Sequence, residues 1–437
     1  MAWNFETDPD FQRELDWMSD FVRAEVEPLD LVFRHPADPF DPARKGPAAA
    51  MAPLKKLVQQ RGLWACHLGP ELGGQGYGQV KLGLMNEILG RSRFAPTVFG
   101  CQAPDTGNSE ILARFGTPAQ KLAYLEPLLA GEIASCYSMT EPQAGADPAQ
   151  FRCRAELVGD QWVINGEKWF ASHADFAKFL LLVVITDPTV PVHQGASILI
   201  VDRDAPGLQI VRNVAVGMRD EMGGGVHGYL RFENCRVPRE NILGQPGQGF
   251  EVAQSRLGGG RIHHAMRTVG LLNLALDMMC ERALSRHTKG EVLAAKQLTQ
   301  EKIADSYTQI TQFRLHVLYA AWLIDKHKSY NRVVRREIAA VKAAMPGVLR
   351  DVVYRALHLH GSLGMSNETP LMQMWATVPE MGIVDGPTEV HKVSVAKEIL
   401  RDRRGTDQPF PSYYRPAATE LARQKLAWAI ELDVGNQ

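Results

Sequence analysis

The sequence predicts an α+β protein in three sections: an N-terminal helical domain over residues 1–135, a middle β domain, drawn as a barrel, over 136–246, and a C-terminal four-helix bundle over 247–437. Three observations carry that prediction. FQRELDWMSDFVRAEVEPL places Phe11, Leu15, Met18, Phe21 and Val22 at three- and four-residue spacings, which is one face of a helix. From about residue 136 to 245 the chain alternates and turns, punctuated by Asn-Gly, Asp-Pro and Pro-Gly. Beyond about 250, apolar stripes at helical spacing return for long stretches.

In the first section, GTPAQKLAYLEPLLAGE shows Thr117 as an N-cap followed by Pro118 at the first helical position. The Pro- and Gly-rich runs HPADPFDPARKGP and GPELGGQGYG lie before it. In the β section, FLLLVVI at 179–185 reads as a buried strand, and is far too short to span a bilayer. INGEK reads as a hairpin signal. In the last section three long helices are followed by a fourth, expected to begin just after Asp385 and to run through EVHKVSVAKEILRD. The tail beyond about 405 is mixed and is expected to close a subunit contact.

Composition narrows the function classes. The 437 residues carry 48 basic and 49 acidic side chains, so the net charge is -1, and no Lys/Arg-rich run marks a nucleic-acid surface. The six cysteines form no C-x-x-C pair, which argues against a disulfide framework or zinc site and for free thiols in a reducing compartment. MAWNFETDPDFQRELDWM lacks a basic region followed by an apolar core, so a cytoplasmic protein without an integral membrane segment is expected.

Seven runs bear on chemistry. CYSMTEPQAGAD, 136–147, is a strand end running into a Gly/Ala turn; its exposed N–H groups and the Thr140 hydroxyl suit a planar polar ring or a phosphate, or it is only a boundary turn. KWFASHAD follows the Asn-Gly pair, with Phe170 and Ser172 two places apart. RFENCRVPRENILGQPGQGF follows a turn and does not open a βαβ unit, so a Rossmann reading fails and a connecting loop is expected. In RLGGGRIHHAMRTVGL, Arg261 reads as a cation in a first helical turn, where it opposes the dipole and needs another reason. SRHTKG supplies Arg286 and Thr288. ALHLHGSLGMSNETP ends a helix at Gly361; His358 and His360, at i and i+2, share no helix face, which argues against a metal. GIVDGPTEVHK puts Asp385 at the mouth of a helix, as a cap or as a base.

Taken jointly, over roughly residues 8–405 and in the expected order, these motifs resemble the acyl-CoA dehydrogenase family, and the Asp-Gly-Pro form of the last resembles the subgroup typified by its tenth and eleventh human members. The resemblance implies FAD as cofactor, with Tyr137, Met139, Thr140, Gly145, Ala146, Phe170 and Ser172 on the flavin side. It gives Arg286 and Thr288, and the loop of His358, Gly361 and Ser362, to the FAD of a neighbouring subunit, and adds Gln297 and Thr388 as further cofactor contacts. Asp385 falls on the catalytic carboxylate, and Arg261 on an arginine beside it. The implied reaction is α,β-desaturation of an acyl-CoA: Asp385 takes the α-proton and hydride leaves the β-carbon for flavin N5. An ordinary Asp, pKa about 3.9, would be raised by desolvation as substrate closes the pocket. A thioester oxyanion would be met by a flavin ribityl hydroxyl and the backbone N–H of the base. An electron-transferring flavoprotein is the expected acceptor, and a homodimer or homotetramer the expected assembly. A nitroalkane-oxidase-like or acyl-CoA-oxidase-like enzyme of the same fold, or a non-catalytic homologue, stand as alternatives.

The chain departs from the pattern at Ala146, where a serine is common, and at Ser362, where a second glycine is usual. MWATVPEMGIV lacks the arginines common before the base, so a different local charge is expected. Asp, one methylene shorter than the usual Glu, is expected to leave room for a bulkier or branched acyl chain.

Overall fold

The computed structural model describes residues 5–33, 45–72, 74–216, 227–407 and 409–434. It divides at Lys392 and Val393 into two units. The Pro-rich run at 35–47 lies mostly outside the described residues; its end opens the helix Lys45–Gln60.

Helix Pro9–Phe21 begins where the Asp8 carboxylate accepts from the Phe11 N–H, and it buries Phe11, Leu15, Met18 and Phe21 as the spacing requires. The expected cap at Thr117 is a full capping box: Thr117 Oγ1 accepts from Gln120 N, and Gln120 Oε1 accepts from Thr117 N.

The middle section is an eight-stranded sheet. Its strands are β1 (Ser135–Ser138), β2 (Arg154–Val158), β3 (Gln161–Ser172), β4 (Phe179–Ile185), β5 (Ala196–Asp202), β6 (Leu208–Val214), β7 (His227–Pro238) and β8 (Ile242–Leu243), paired in the order β6-β7-β3-β2-β4-β5-β8 with β1 parallel to β4. The path is open rather than a closed barrel: among the described residues β6 and β8 do not pair. β4 explains the FLLLVVI run. Leu180, Leu182 and Val184 face one core with Trp162, Ile164 and Phe232; Phe179, Leu181 and Val183 face a second core with Ile111, Leu125 and Val252. A strand with period two that is covered on both sides must be apolar at every position.

The expected hairpin at INGEK is wrong. β3 runs unbroken through it; Asn165-Gly166 is a register shift against β7, with Gly166 at φ 138° and too close to the Cys153 Cα, 2.6 Å, for any Cβ. The turn is Gly159-Asp160, with Val158 paired to Gln161.

Three long helices, Gly249–Ser285, Gln297–His327 and Arg332–His360, share one apolar core with Leu371 and Met374 of the short helix Leu371–Met381. The helix after Asp385 is Thr388–Arg401, as expected, but the fourth element in that core is the helix before Asp385. The second unit holds the helices Arg415–Lys425 and Ala427–Val434, preceded by Phe410 stacked on Tyr414 at 4.2 Å.

Two glycines let the N-terminal section reach this bundle. A Cβ on Gly270 would lie 1.9 Å from the Glu87 carbonyl, and one on Gly90 2.1 Å from the Arg267 carbonyl. Helices Gln79–Leu89 and Gly249–Ser285 therefore cross with backbone against backbone. Asp325 locks the same helix from a third element, accepting from Gln79 N at 2.6 Å and Val80 N at 3.0 Å. Gly270→Ala is expected to destabilise the protein by about 2 kcal/mol or more, because backbone cannot yield as a side-chain tip can. Urea unfolding of the variant checks this; an unchanged midpoint would show that the helices do not cross so closely.

Candidate functional site

Asp385 lies in the turn between helices Leu371–Met381 and Thr388–Arg401. Its φ is 56°, a left-handed conformation that Asp tolerates better than most residues, and Gly386 follows at 107°. The turn is built from carbonyls of the preceding helix end: Val384 N donates to Glu380 O at 2.9 Å, and Thr388 N and Oγ1 both donate to Gly382 O. Arg261 donates from Nε and Nη2 to the Asp385 carbonyl at 3.1 and 3.0 Å, and His391 Nε2 lies 3.2 Å from the same oxygen. The carboxylate is thus left for other work. Its Oδ2 is 3.7 Å from His264 Nε2, and the side chain is only 22% exposed. It faces His264 on a neighbouring helix, so capping of Thr388–Arg401 is not its role.

Arg261 sits well inside helix Gly249–Ser285, not in its first turn, so the dipole argument made from sequence does not apply. What justifies a half-buried arginine here is its double hydrogen bond to Asp385.

In the substrate-free chain the charge around Asp385 opposes burial. Burial pushes its carboxyl up, but His264 when protonated, and Arg256, Arg261 and Lys342 throughout, hold it below the ordinary value. The arginines missing before Asp385 are replaced by cations from other elements. Burial pulls Lys342 down to about 8, although Asp385 works against this; its Nζ donates to the Met381 carbonyl at the end of the preceding helix. Arg256 lies over the Tyr137 ring at 4.1 Å and donates to Asn108 Oδ1 at 3.2 Å. Burial raises the Tyr137 phenol to about 12, with Arg256 opposing and Asp385 adding to the rise. Asp385, Arg261, Arg256 and Tyr137 therefore form one electrostatic unit, joining the bundle to β1.

Past β1 the chain enters a turn in which Glu141 and Ala144 exchange backbone hydrogen bonds. Lys168 on β3 holds this turn: its Nζ donates to Met139 O and to Glu141 Oε1, both at 2.8 Å, in an ion pair with side chains 0% and 1% exposed. Trp169 N donates to Thr140 O at 2.8 Å. Phe170 has φ 53°, is 47% exposed and stacks on Trp169 at 4.9 Å. Ser172 Oγ is 2.8 Å from His227 Nδ1. Gly145 and Ala146 are exposed, and a Cβ on Gly145 would meet only Thr140 Cγ2, at 3.9 Å. The Ser138 Oγ and Trp169 Nε1 are buried without a partner among the described residues. An exposed aromatic, free buried donors and an open glycine turn suit a flat polar ring with a phosphate arm, as FAD has.

The remaining residues predicted for the cofactor are not brought to this place. Arg286 ends helix Gly249–Ser285, Thr288 is in a two-stranded hairpin beyond it, and Gln297 opens the next helix; all three are exposed. His358 lies against the Tyr354 ring, tilted by 47° at 4.2 Å, with Gly361 at φ 64° and Ser362 exposed beside it. Thr388 is near Asp385, but its hydroxyl serves the turn.

Sequence reasoning missed Glu141, Lys168, Arg256, His264, Lys342 and His391. His264 had a signal: it follows Arg261 at i+3 and so shares its helix face. Lys342, a lone lysine among buried positions of an amphipathic helix, had a weaker one.

Three family models match in series: the N-terminal domain of acyl-CoA dehydrogenase over residues 10–132, its middle domain over 136–235 and its C-terminal domain over 247–400. The chain is 40% identical over 401 residues to the probable acyl-CoA dehydrogenase FadE2 of Mycobacterium tuberculosis, covering 89% of this chain and 95% of that protein. It is 38% identical to mouse acyl-CoA dehydrogenase family member 10, covering 92% of this chain but only 38% of that longer protein. It likewise spans about half the length of mouse family member 11, 50%, at 37% identity over 90% of this chain. A solved structure of an acyl-CoA dehydrogenase homologue from Mycobacterium abscessus superposes with TM-score 0.83 at 37% identity, covering 91% of this chain and 99% of that one.

Burial holds His67, His264 and His391 each at about 4 rather than 6.5. Between these values the unfolded chain binds more protons than the native one, so stability rises with pH from about 4 to 6.5 and is lost on acidification through that window. The thermal midpoint is expected to fall steeply between pH 7 and pH 5, and less steeply in a His67→Gln, His391→Gln double variant. Equal slopes for the two proteins would contradict the assignment.

Proposed function

The chain belongs to the acyl-CoA dehydrogenase family of FAD-dependent oxidoreductases, and we propose that it desaturates an acyl-CoA thioester between the α- and β-carbons with Asp385 as base. The observation that carries this reading is the Asp385 carboxylate, kept out of its own turn's hydrogen bonding and held ionised by surrounding cations next to β1. Its Oδ accepts the α-proton as the Cα–H bond breaks. The negative charge that then grows on the thioester carbonyl falls in the field of Arg256, Arg261 and Lys342. The Asp385 N–H makes no hydrogen bond among the described residues, and Arg261 fixes its residue through the carbonyl; this N–H is the proposed donor to the thioester oxygen. FAD, when bound, supplies the two-electron acceptor for the hydride leaving the β-carbon.

Tyr137, Met139, Thr140, Gly145, Ala146, Phe170 and Ser172 are proposed to hold the ring side of FAD in the same chain. Arg286 lies 25 residues beyond Arg261 along or just past one helix, about 37 Å at 1.5 Å per residue. Arg286, Thr288, Gln297, His358, Gly361 and Ser362 are therefore assigned to the FAD of another copy, which makes the working form a homodimer or homotetramer. Domain limits at 135/136 and 246/247 are proposed, with support from family matches that begin at 136 and 247. An electron-transferring flavoprotein is the proposed acceptor, and the cytoplasm the proposed location.

Asp385→Asn is expected to slow anaerobic flavin bleaching by acyl-CoA about a thousandfold, the usual scale for removing a positioned base, with FAD content unchanged. Bleaching by the variant at the native rate would remove Asp385 from the reaction; peroxide formation with a nitroalkane and no bleaching by any acyl-CoA would replace the proposed substrate. The short base leaves room at the α-carbon. In a panel of thioesters, 2-methyl acyl-CoAs are expected to react at least as fast as straight chains, and a clear preference for short straight chains would contradict this.

A further inference from the structure

Resting on the desaturase reading above, we propose that His264 is the second half of the base: a positioning residue that shares with Asp385 the proton taken from substrate. Its Nε2 is 3.7 Å from Asp385 Oδ2, in a site where both side chains are three-quarters or more buried. It stands one turn beyond Arg261 on helix Gly249–Ser285. The same helix face therefore meets Asp385 twice: Arg261 holds its carbonyl and His264 faces its carboxylate.

The need for a second proton site follows from the neighbours. Facing the pair are Arg256, Arg261 and Arg267 from that helix, Lys342 from Arg332–His360, His391 from the helix after Asp385, and the Tyr137 phenol from β1. A carboxylate among so many cations holds a proton poorly. Burial, with Arg267, Lys342 and Arg256 adding to it, pulls the His264 imidazole down to about 4 while Asp385 works against them, so at neutral pH its ring is uncharged and faces the carboxylate with a nitrogen that can take a proton. The step balances simply. The Cα–H bond breaks, its electron pair stays on the thioester, and the proton binds Asp385 Oδ2 and passes to His264 Nε2. The products are an imidazolium and a restored carboxylate, which titrate as a pair. Nothing is oxidised or reduced in this transfer.

The test uses the FAD-loaded enzyme and a 3-thia-acyl-CoA, whose sulfur acidifies the α-C–H and blocks hydride loss. Ionisation of the bound ligand is read from the long-wavelength absorbance that an anion gives against oxidised flavin, followed over pH. Without His264, ligand anion and carboxylate must coexist with no adjacent imidazolium. In His264→Gln and His264→Asn the midpoint is therefore expected to move up by about one pH unit, a tenfold loss, at unchanged FAD content. An unmoved midpoint in whichever of the two variants folds, with the band abolished in Asp385→Asn, would overturn the proposal and leave the base assignment standing. A band that survives in Asp385→Asn would overturn the base assignment itself.

Discussion

The buried pair of Lys168 and Glu141 sets the geometry on which the candidate site rests. Removing both charges from water is expensive, and their attraction offsets this only if the remaining lone pairs and protons are used. Here they are. Lys168 also donates to Met139 O and lies 4.6 Å from the Phe151 ring, and Glu141 accepts from the backbone of Arg152 and Cys153. One side chain thus ties β3 to the turn after β1, and the other ties that turn to the approach of β2. The strand bearing Phe170 and Ser172 and the turn bearing Thr140 and Gly145 cannot shift independently. A cofactor platform built from two segments of sequence needs such a clamp.

Much of this was legible without coordinates, for physical reasons that differ by element. The long helices announced themselves because burial on one face imposes a repeat that composition cannot hide. β4 was legible because a strand covered on both sides has no polar position to confuse the reading. INGEK failed because an Asn-Gly pair reports only that the backbone departs from the ordinary; whether it reverses the chain or bulges a strand depends on β7, which pairs with it from far along the sequence.

The candidate base was legible in the same limited sense. An acid in a Gly-Pro turn, placed correctly after the preceding motifs, pointed to Asp385. Its surroundings were hidden, because Arg261 is 124 residues away in sequence and meets a carbonyl, not a side chain. Lys342 reaches the site by donating to the last carbonyl, that of Met381, of a helix it does not belong to. Charge counting near Asp385 along the chain describes only part of the field: the local segment is poor in cations, and other elements bring them to the folded site.

The left-handed backbone at Asp385 places two proposed tasks on one hinge. The carboxylate that takes a proton and the amide that meets an oxygen belong to the same residue, whose carbonyl is pinned by Arg261. Neither can be retuned alone, since turning the peptide to reposition the donor swings the acid with it. Divergence at this position is therefore constrained to side chains that tolerate a positive φ, and changes of substrate are more easily made in the walls than at the pivot.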